Sequence, residues 1–225
     1  ETRLTFRTNI VFDALPPQVR FPAESTVIAA NGSGKFDLIG LNTPSIRLRG
    51  KRLNPSTAVH ALRGYGRVYQ DYWKGAAVPF DVVPGITMPN LNLNSRAELD
   101  VGRTISFDLR RYLGGRKGMI FLEAIPANPK RGFARATQAI VQFTDIGLLW
   151  KRHSEGTFVH VFSLKTGKPL ADAEVISVNM DNEIRLQATT DRDGHAQLKF
   201  SDGTMLMVAH EDDLLVTRNG HQVLT

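Results

Sequence analysis

The chain has 225 residues, of which 42% are apolar, 22% charged and 8% aromatic, and it contains no cysteine. This length can bury a substantial core in one or two domains, and the composition excludes disordered, collagen-like and low-complexity chains. The absence of cysteine excludes a disulfide scaffold, a thiolate metal site and a cysteine nucleophile or thioester within these residues. No apolar run reaches the ~18 residues needed to cross a bilayer.

Charge is distributed unevenly along the chain. Residues 1–147 carry 20 Lys+Arg and 11 Asp+Glu, a net charge of +9, whereas residues 148–225 carry 8 and 11, a net charge of −3. A change of sign midway predicts a boundary between two modules. We expect domains at 15–147 and 148–225. Residues 1–14 precede a Leu15-Pro-Pro17 break, and we interpret them as a terminal strand from a preceding domain, because the chain starts with Glu1 and is expected to be a piece of a longer protein.

The first half begins with a predicted hairpin and a predicted helix. Asn31-Gly32 lies between two β-rich segments, 26–30 and 35–39, which is the typical arrangement of a hairpin. Asn54-Pro55 combines a helix N-cap with proline at the first helical position, and predicts one short helix over 55–63.

Alternating residues predict further strands in the first half. Ile46 and Leu48 alternate with basic residues, which indicates a strand with one buried face and one basic face. The basic positions are Arg47, Arg49 and Lys51, and the other predicted strands cover 105–109, 119–125 and 136–143.

The second half consists of short β-rich segments separated by turn residues, without a helical period. Asn219-Gly220 is typical of a type I′ hairpin turn. Six or seven strands at this spacing predict an antiparallel sandwich, so the expected fold class is all-β, with two antiparallel immunoglobulin-like β-sandwich domains and one short helix. The predicted strands cover 158–164, 173–180, 184–190, 196–200, 205–209 and 214–217.

Two patterns suggest a metal site but favour simpler explanations. Asp191-Arg-Asp-Gly194 lacks the ligand spacing of a calcium loop, and a turn with glycine in the left-handed conformation explains it. The histidines of the second half lack the paired spacing of a zinc site, and we interpret them as scattered. They are His153, His160, His195, His210 and His221.

No pattern predicts catalysis, so the predicted catalytic, cofactor-binding and metal residues are none. There is no Gly-x-Ser-x-Gly elbow, and Gly32-Ser-Gly34 lacks the P-loop spacing. Single, scattered carboxylates do not form an acid–base pair by spacing. These carboxylates are Asp71, Asp81, Glu98 and Asp108.

Basic clusters raise the possibility of nucleic-acid binding, which needs interleaved aromatic residues or a reading helix. The aromatic cluster Tyr65, Tyr69, Tyr72 and Trp73 lies away from the charges, and we predict no nucleic-acid partner. The basic clusters are Arg47/Arg49/Lys51/Arg52, Arg110/Arg111/Arg116/Lys117 and Lys130/Arg131/Arg135.

Two stretches resemble a known family when taken together. The first is Gly114-Gly-Arg-Lys-Gly-Met-Ile-Phe-Leu-Glu-Ala124, followed by Thr137-Gln-Ala-Ile-Val-Gln-Phe-Thr-Asp-Ile-Gly-Leu-Leu-Trp-Lys151. The second is Val161-Phe-Ser-Leu-Lys-Thr-Gly-Lys-Pro-Leu-Ala-Asp-Ala-Glu-Val175, followed by Thr189-Thr-Asp-Arg-Asp-Gly-His-Ala196. This succession resembles the amino-terminal macroglobulin-like domains of bacterial alpha-2-macroglobulins, closely over about 105–200 and more loosely from Leu15 to Leu48.

The resemblance implies seven-stranded sandwiches within a long periplasmic protein that is anchored to the inner membrane by a lipid and traps proteases. Expected partners are other domains of the parent chain, target proteases and periplasmic proteins of the same assembly. The family's Cys-x-x-Gln thioester is absent from this chain, so no functional residue of the family carries over. A binding module of a bacterial adhesin or surface protein remains the alternative, because similar sandwiches share the Thr-Gly-Lys-Pro and Thr-Asp-x-Asp-Gly patterns.

Overall fold

The computed structural model describes residues 13–23, 25–61, 78–95, 98–126, 136–179, 183–199 and 205–218. Most of these residues form β-strands that pair antiparallel, with little helix, so the predicted all-β fold class is confirmed. No described helix is long and apolar enough to span a bilayer.

Strands of the first half form two sheets. A three-stranded sheet has the order β1-β3-β7, and a larger sheet has the order β2-β9-β8-β4-β5, with β6 also paired to β4. The strands are β1 (Gln18–Arg20), β2 (Ser25–Ala29), β3 (Lys35–Leu41), β4 (Ser45–Leu53), β5 (Ile86–Thr87), β6 (Leu91–Asn94), β7 (Gly102–Asp108), β8 (Gly118–Pro126) and β9 (Thr137–Thr144).

Strands of the second half also form two sheets, which face each other as a sandwich. One sheet has the order β10-β11-β14 and the other β13-β12-β15-β16, and all of their pairings are antiparallel. The strands are β10 (Ile146–His153), β11 (Gly156–Ser163), β12 (Glu174–Val178), β13 (Ile184–Thr189), β14 (His195–Lys199), β15 (Met205–His210) and β16 (Asp213–Arg218).

The predicted hairpin over 26–39 is wrong. β2 and β3 lie in different sheets, and β2 pairs in parallel with β9, with Val27 opposite Gln142. The turn after β2 therefore carries the chain from one sheet to the other. It remains tight, because the Gly32 N–H donates to the Ala29 carbonyl at 2.9 Å.

Short helical segments interrupt the strands. Helix α1 covers residues 55–61, where this described stretch ends, and the Asn54 side chain caps it by accepting the Thr57 N–H at 3.0 Å. The predicted start is therefore correct. Beyond the one predicted helix, a single turn forms α2 (Leu109–Tyr112), and a 3-10 turn covers Phe80–Val82. The strand predicted through Leu109 ends at Asp108, whose carboxylate caps α2 by accepting the Arg111 N–H.

Three apolar clusters form the core. The first lies between the sheets of the first half and the third lies inside the second sandwich, around Val161, Val175 and Val208. The middle cluster combines residues of both halves, including Phe121 and Ile140 from β8 and β9 and Met207 and Val216 from β15 and β16. β8 and β9 are therefore buried on both faces, which explains why β8 is a nearly continuous apolar run.

The domain limits at 1–14, 15–147 and 148–225 stay predictions. The change from β9 to β10 falls at Asp145, and the described strands pair only within their own half. Of the proposed terminal strand, only residues 13 and 14 lie among the described residues, where they are not in a strand. The predicted Asn219-Gly220 turn lies outside the described residues.

Candidate functional site

The Asp191–Gly194 segment is a turn, as predicted. Gly194 has φ +73° and donates its N–H to the Asp191 carbonyl at 2.9 Å. The Asp191 carboxylate accepts the N–H groups of Asp193 and His195, each at 2.9 Å. A Cβ at position 194 would lie 2.3 Å from the Val161 carbonyl oxygen, so glycine is required here by close approach as well as by φ.

The hydrogen bonds of this turn affect the titration of Asp191. The His195 N–H is the main cause that lowers the Asp191 pKa below its ordinary value of 3.8. Because the Asp191 pKa is lower in the folded than in the unfolded state, ionisation of Asp191 stabilises the turn at pH values above the unfolded-state pKa. This stabilisation is lost as the pH falls through the folded-state pKa. We expect a carbon-13 NMR titration of the Asp191 carboxyl to give a midpoint below 3.8. A midpoint at or above that value would contradict the bonding described.

The interpretation of the histidines as scattered is wrong for one pair. His160 on β11 lies directly opposite His195 on β14, with ring centroids 4.8 Å apart. His153 and His210 lie elsewhere, at the ends of β10 and β15, and His221 lies outside the described residues. Among the described residues, no group of three or more His, Asp or Glu side chains is placed to hold a metal ion.

The candidate carboxylates remain separate in the structure. Glu98 pairs with Arg103, Asp108 caps α2, and Asp81 lies exposed in the 3-10 turn. Asp71 lies outside the described residues, as do the aromatic cluster at 65–73 and the basic cluster at 130–135. The second basic cluster is divided among different partners, since Arg110 donates to the Ala30 and Gly32 carbonyls and Lys117 contacts the second half.

The basic face predicted for β4 is largely an internal network. Arg49 donates through Nε to Glu123, which is 3% exposed, at 2.6 Å. Gln138 donates to the other oxygen of Glu123 at 2.7 Å. Gln138 also exchanges two hydrogen bonds with the Val78 backbone, at 2.6 and 2.9 Å. This network holds the chain entering the 3-10 turn against β8 and β9.

Lys51 is buried, which corrects its predicted place on an exposed basic face. It is 8% exposed and donates to the carbonyls of Asp81 and Val83, at 3.1 and 2.6 Å. The ring of Phe80 lies close to both cations, 4.2 Å from the Arg49 guanidinium carbon and 5.1 Å from the Lys51 ammonium. Cation–π contact and carbonyl acceptors together compensate for the burial of these charges.

Tyr112 carries a buried hydroxyl that has no hydrogen-bond partner in the part of the chain that the structure describes. Its side chain packs edge-on against Phe107 and lies over Gly50, where a Cβ would come within 3.0 Å of the hydroxyl. Burial raises the pKa of Tyr112 from 10.0 to about 12. The folded state thus favours the neutral phenol, and the protein loses stability as the unfolded chain ionises above pH 10.

We expect Tyr112→Phe to stabilise the protein, because it removes an unsatisfied buried polar group and keeps the ring. The gain at neutral pH should be about 1 kcal/mol, within the usual cost of an unpaired buried hydroxyl. The stability difference from wild type should grow as pH rises from 10.0 to about 12. Urea unfolding at several pH values measures both effects. A destabilised variant, or a difference that does not grow with pH, would contradict the burial of this hydroxyl.

The strongest candidate for a functional site is the junction between the halves, which combines the middle apolar cluster with two polar contacts. In the first contact, the side-chain amide of Gln142 on β9 pairs with the backbone of Val216 as a neighbouring strand would. Its Oε1 accepts the Val216 N–H at 2.7 Å and its Nε2 donates to the Val216 carbonyl at 2.8 Å. Gln142 is 4% exposed, so these bonds are shielded from water.

Asp213 forms the second contact. Its side chain is 1% exposed, and one oxygen accepts the Asp145 N–H at 2.8 Å and lies 3.2 Å from the Lys117 ammonium. Its other oxygen accepts the Leu214 N–H at 2.8 Å. Asp213, the first residue of β16, therefore joins this strand to the β9–β10 connection and to the segment before β8.

A cleft of about 190 Å³ with charged and apolar lining residues lies beside this contact. Arg52 and Lys117 line it from the first half, and Glu211, Asp212 and Asp213 line it from the β15–β16 turn. Opposite charges thus face each other across the junction, in agreement with the net charges of the two halves. The junction thus packs the two halves of the chain against each other. None of the described carboxylates and histidines of the junction forms a nucleophile–base pair.

The sequence interpretation missed the residues of this junction. A signal was present for Gln142, because it interrupts the largely apolar β9 and lies on the same face of the strand as Gln138. Polar residues in a run buried on both faces need specific partners. Asp213 gave no comparable signal, since it stands in an acidic turn that looks like ordinary surface.

Comparisons with known proteins agree with this architecture. Residues 143–223 match the family model of the bacterial alpha-2-macroglobulin MG3 domain. Alpha-2-macroglobulins of Xylella fastidiosa strain 9a5c and of Rickettsia conorii are 24% and 22% identical over 93% and 81% of the chain. The chain spans only 13% and 10% of the length of these relatives.

Solved structures show the same fold. A crystal structure of native Escherichia coli alpha-2-macroglobulin spanning domains NIE-MG1 has a TM-score of 0.73 and 17% identity, and the match covers 93% of this chain and 99% of that one. Trypsin-activated E. coli alpha-2-macroglobulin has a TM-score of 0.68 and 14% identity, with 90% of this chain and 14% of that one covered. Residues 143–223 therefore match the MG3 domain of bacterial alpha-2-macroglobulins, and the likeness to members of that family extends over most of the chain.

Proposed function

We propose that the chain is a non-catalytic structural and interaction part of a bacterial alpha-2-macroglobulin-type protein that traps proteases. The observation that carries this proposal is the family match of residues 143–223. The likeness of nearly the whole chain to a solved NIE-MG1 fragment adds support, because both halves follow that fold. These relatives favour the macroglobulin interpretation over the adhesin module.

The junction explains how such a part would work. Gln142 and Asp213 join the halves through shielded hydrogen bonds, and the middle apolar cluster fills the space between them. A joint of this kind transmits position from one domain to the next, while the chemistry of the parent protein lies in other parts. Target proteases would thus be bound by the full-length protein, without cofactor, metal or nucleic acid at this chain.

The experiment compares this chain with its full-length parent. Each is mixed with trypsin, and the mixture is assayed for activity on a protein substrate, separated by gel filtration and run on a denaturing gel. We expect the full-length protein to retain trypsin and reduce its activity. The 225-residue chain alone should leave the activity unchanged and form no SDS-resistant adduct, because it has no cysteine to supply a thioester. Inhibition by the chain alone, or a full-length parent that retains no protease, would contradict the proposal.

We also propose that the full-length protein resides in the periplasm, held to the inner membrane by a lipid, where it would serve in defence against foreign proteases. This proposal rests on the family resemblance alone. Cell fractionation and metabolic labelling with a radioactive fatty acid test it. A full-length protein recovered from the cytoplasm, without label, would contradict it.

A further inference from the structure

The outer face of the β10-β11-β14 sheet carries a row of four aromatic rings, which we call the ring face. The rings are Phe162, His160, His195 and Phe158, in this order of contact. Neighbouring centroids in the row lie 5.7, 4.8 and 5.1 Å apart. Leu149 on β10 extends the ring face, because it lies directly opposite His160.

Backbone pairing holds these rings together. The Val161 N–H donates to the Gly194 carbonyl at 2.8 Å, which makes His160 and His195 a pair without hydrogen bonds between their own backbones. Side chains of such pairs approach most closely. A Cβ at Gly147 would lie 2.5 Å from the ring of Phe162, so glycine leaves the space that this ring occupies. The ring face is thus a packed, preformed surface.

Apolar side chains of the ring face are open to solvent. Leu149 is 62% exposed and Phe158 is 40% exposed. The outer face of an antiparallel sheet is commonly polar, and a contiguous apolar surface with a polar border is typical of an interaction site. No other described residue of the chain pairs with β10 on its free edge.

The charged side chains on the outward positions of the three strands are all lysines. The remaining outward positions of the three strands include Lys151 and Lys199 and contain no carboxylate. The second half as a whole carries a net charge of −3, and its described carboxylates lie in the connections between strands and on β12 and β16, including Asp191 in the turn before β14. A complementary surface would therefore place carboxylates around an apolar centre.

We infer that the ring face is the docking surface for another domain of the same longer protein, which covers it with apolar side chains bordered by carboxylates. This inference rests on the proposed function. The chain spans 13% of the length of its Xylella relatives, so most of such a protein lies outside it and can supply the occupant. A second copy fits poorly, because two ring faces in contact would bring lysines together without a carboxylate on the outward strand positions of either copy to pair with them.

The test is performed on the full-length protein and on the 225-residue chain. Both are acetylated at lysine with a limiting reagent, and the rate at each lysine is measured by mass spectrometry. We expect Lys151 and Lys199 to react severalfold more slowly in the full-length protein. Lys35 serves as the control, because it lies exposed on β3 of the first half, away from the ring face, and should react equally in both.

Carbodiimide cross-linking tests whether the covering domain presents carboxylates to the ring face, since it joins a lysine amine to a carboxylate in direct contact. In the full-length protein, Lys151 or Lys199 should be linked to an Asp or Glu outside the 225 residues. Leu149→Ser should abolish both the protection and the cross-link. Ile184→Ser is the matched control, because Ile184 is 60% exposed on β13 of the other sheet and should leave both unchanged.

Equal acetylation of Lys151 and Lys199 in both proteins would overturn the inference. Protection with cross-links only between copies of the protein would also overturn it, because the ring face would then be covered by a second copy and not by another domain. Protection without any cross-link to a carboxylate would overturn the proposed chemistry of the occupant. A full-length protein that traps trypsin while its ring face stays reactive would contradict this inference alone. A protected ring face in a protein that retains no protease would contradict the proposed function alone.

Discussion

Asp213→Ala is expected to destabilise the protein by roughly 2–5 kcal/mol, the range for removing one partner from a buried polar contact. The substitution leaves the N–H groups of Asp145 and Leu214 without their acceptors at the junction. The loss of the Lys117 ion pair contributes less, because the lysine side chain is 30% exposed and partly screened by water. Urea unfolding gives the free energy, and amide hydrogen exchange at Asp145 and Leu214 should accelerate.

Asp212→Ala is the matched control for this prediction. Asp212 is the preceding residue, carries the same charge and lines the same cleft, but it is exposed. An exposed substitution of this kind commonly changes stability by less than about 0.5 kcal/mol. If both variants lost the same stability, the effect would come from net charge at the turn, and the buried contact described for Asp213 would be refuted.

Arg49→Met is expected to cost about 3–5 kcal/mol, since it leaves the buried Glu123 carboxylate without its cationic partner. Methionine keeps an unbranched apolar stem against Phe80, so the variant tests the charge and its hydrogen bond more than the packing. Gln138 continues to donate to Glu123 at 2.7 Å, but one neutral donor does not compensate a buried charge. Thermal and urea unfolding measure the loss.

The double variant Arg49→Met/Glu123→Gln separates the charge from the shape of this network. Glutamine keeps the size of the side chain and an oxygen that can accept from Gln138, while it removes the uncompensated charge. We expect the double variant to be more stable than Arg49→Met alone by about 1–3 kcal/mol, as contacting residues are strongly coupled. A double variant that is no more stable than the single one would refute an ion pair buried at this position.

Local patterns in the sequence predict much of the second half correctly. β11, β14 and β15 lie within two residues of their predicted bounds, because each strand has one face on the sandwich core and turn residues at both ends. The helix start at Asn54 also follows from a local contact, the cap to Thr57. These strand bounds and this helix start are set by residues that lie close together in the sequence.

Long-range contacts account for the errors. β2 pairs with β9, more than a hundred residues away, so the turn residues between β2 and β3 could not reveal that the chain changes sheets. Lys51 follows the alternation of an exposed basic face, yet the carbonyls of Asp81 and Val83 allow its burial. At the junction, Gln142 and Asp213 meet partners on other elements, and no local pattern specifies such partners.

The contacts of Gln142 and Asp213 have a consequence for how the protein behaves at high concentration. Leu214 and Val216 direct their N–H groups away from β15, and β16 is the edge strand of its sheet among the strands that the structure describes. Exposed groups of this kind recruit strands of other molecules and start edge-to-edge aggregation. Here the Asp213 carboxylate occupies one N–H and the Gln142 amide occupies the other, together with the Val216 carbonyl. The same two side chains that join the halves therefore also close this edge to intermolecular β-pairing, and protect the folded chain from polymerising along it.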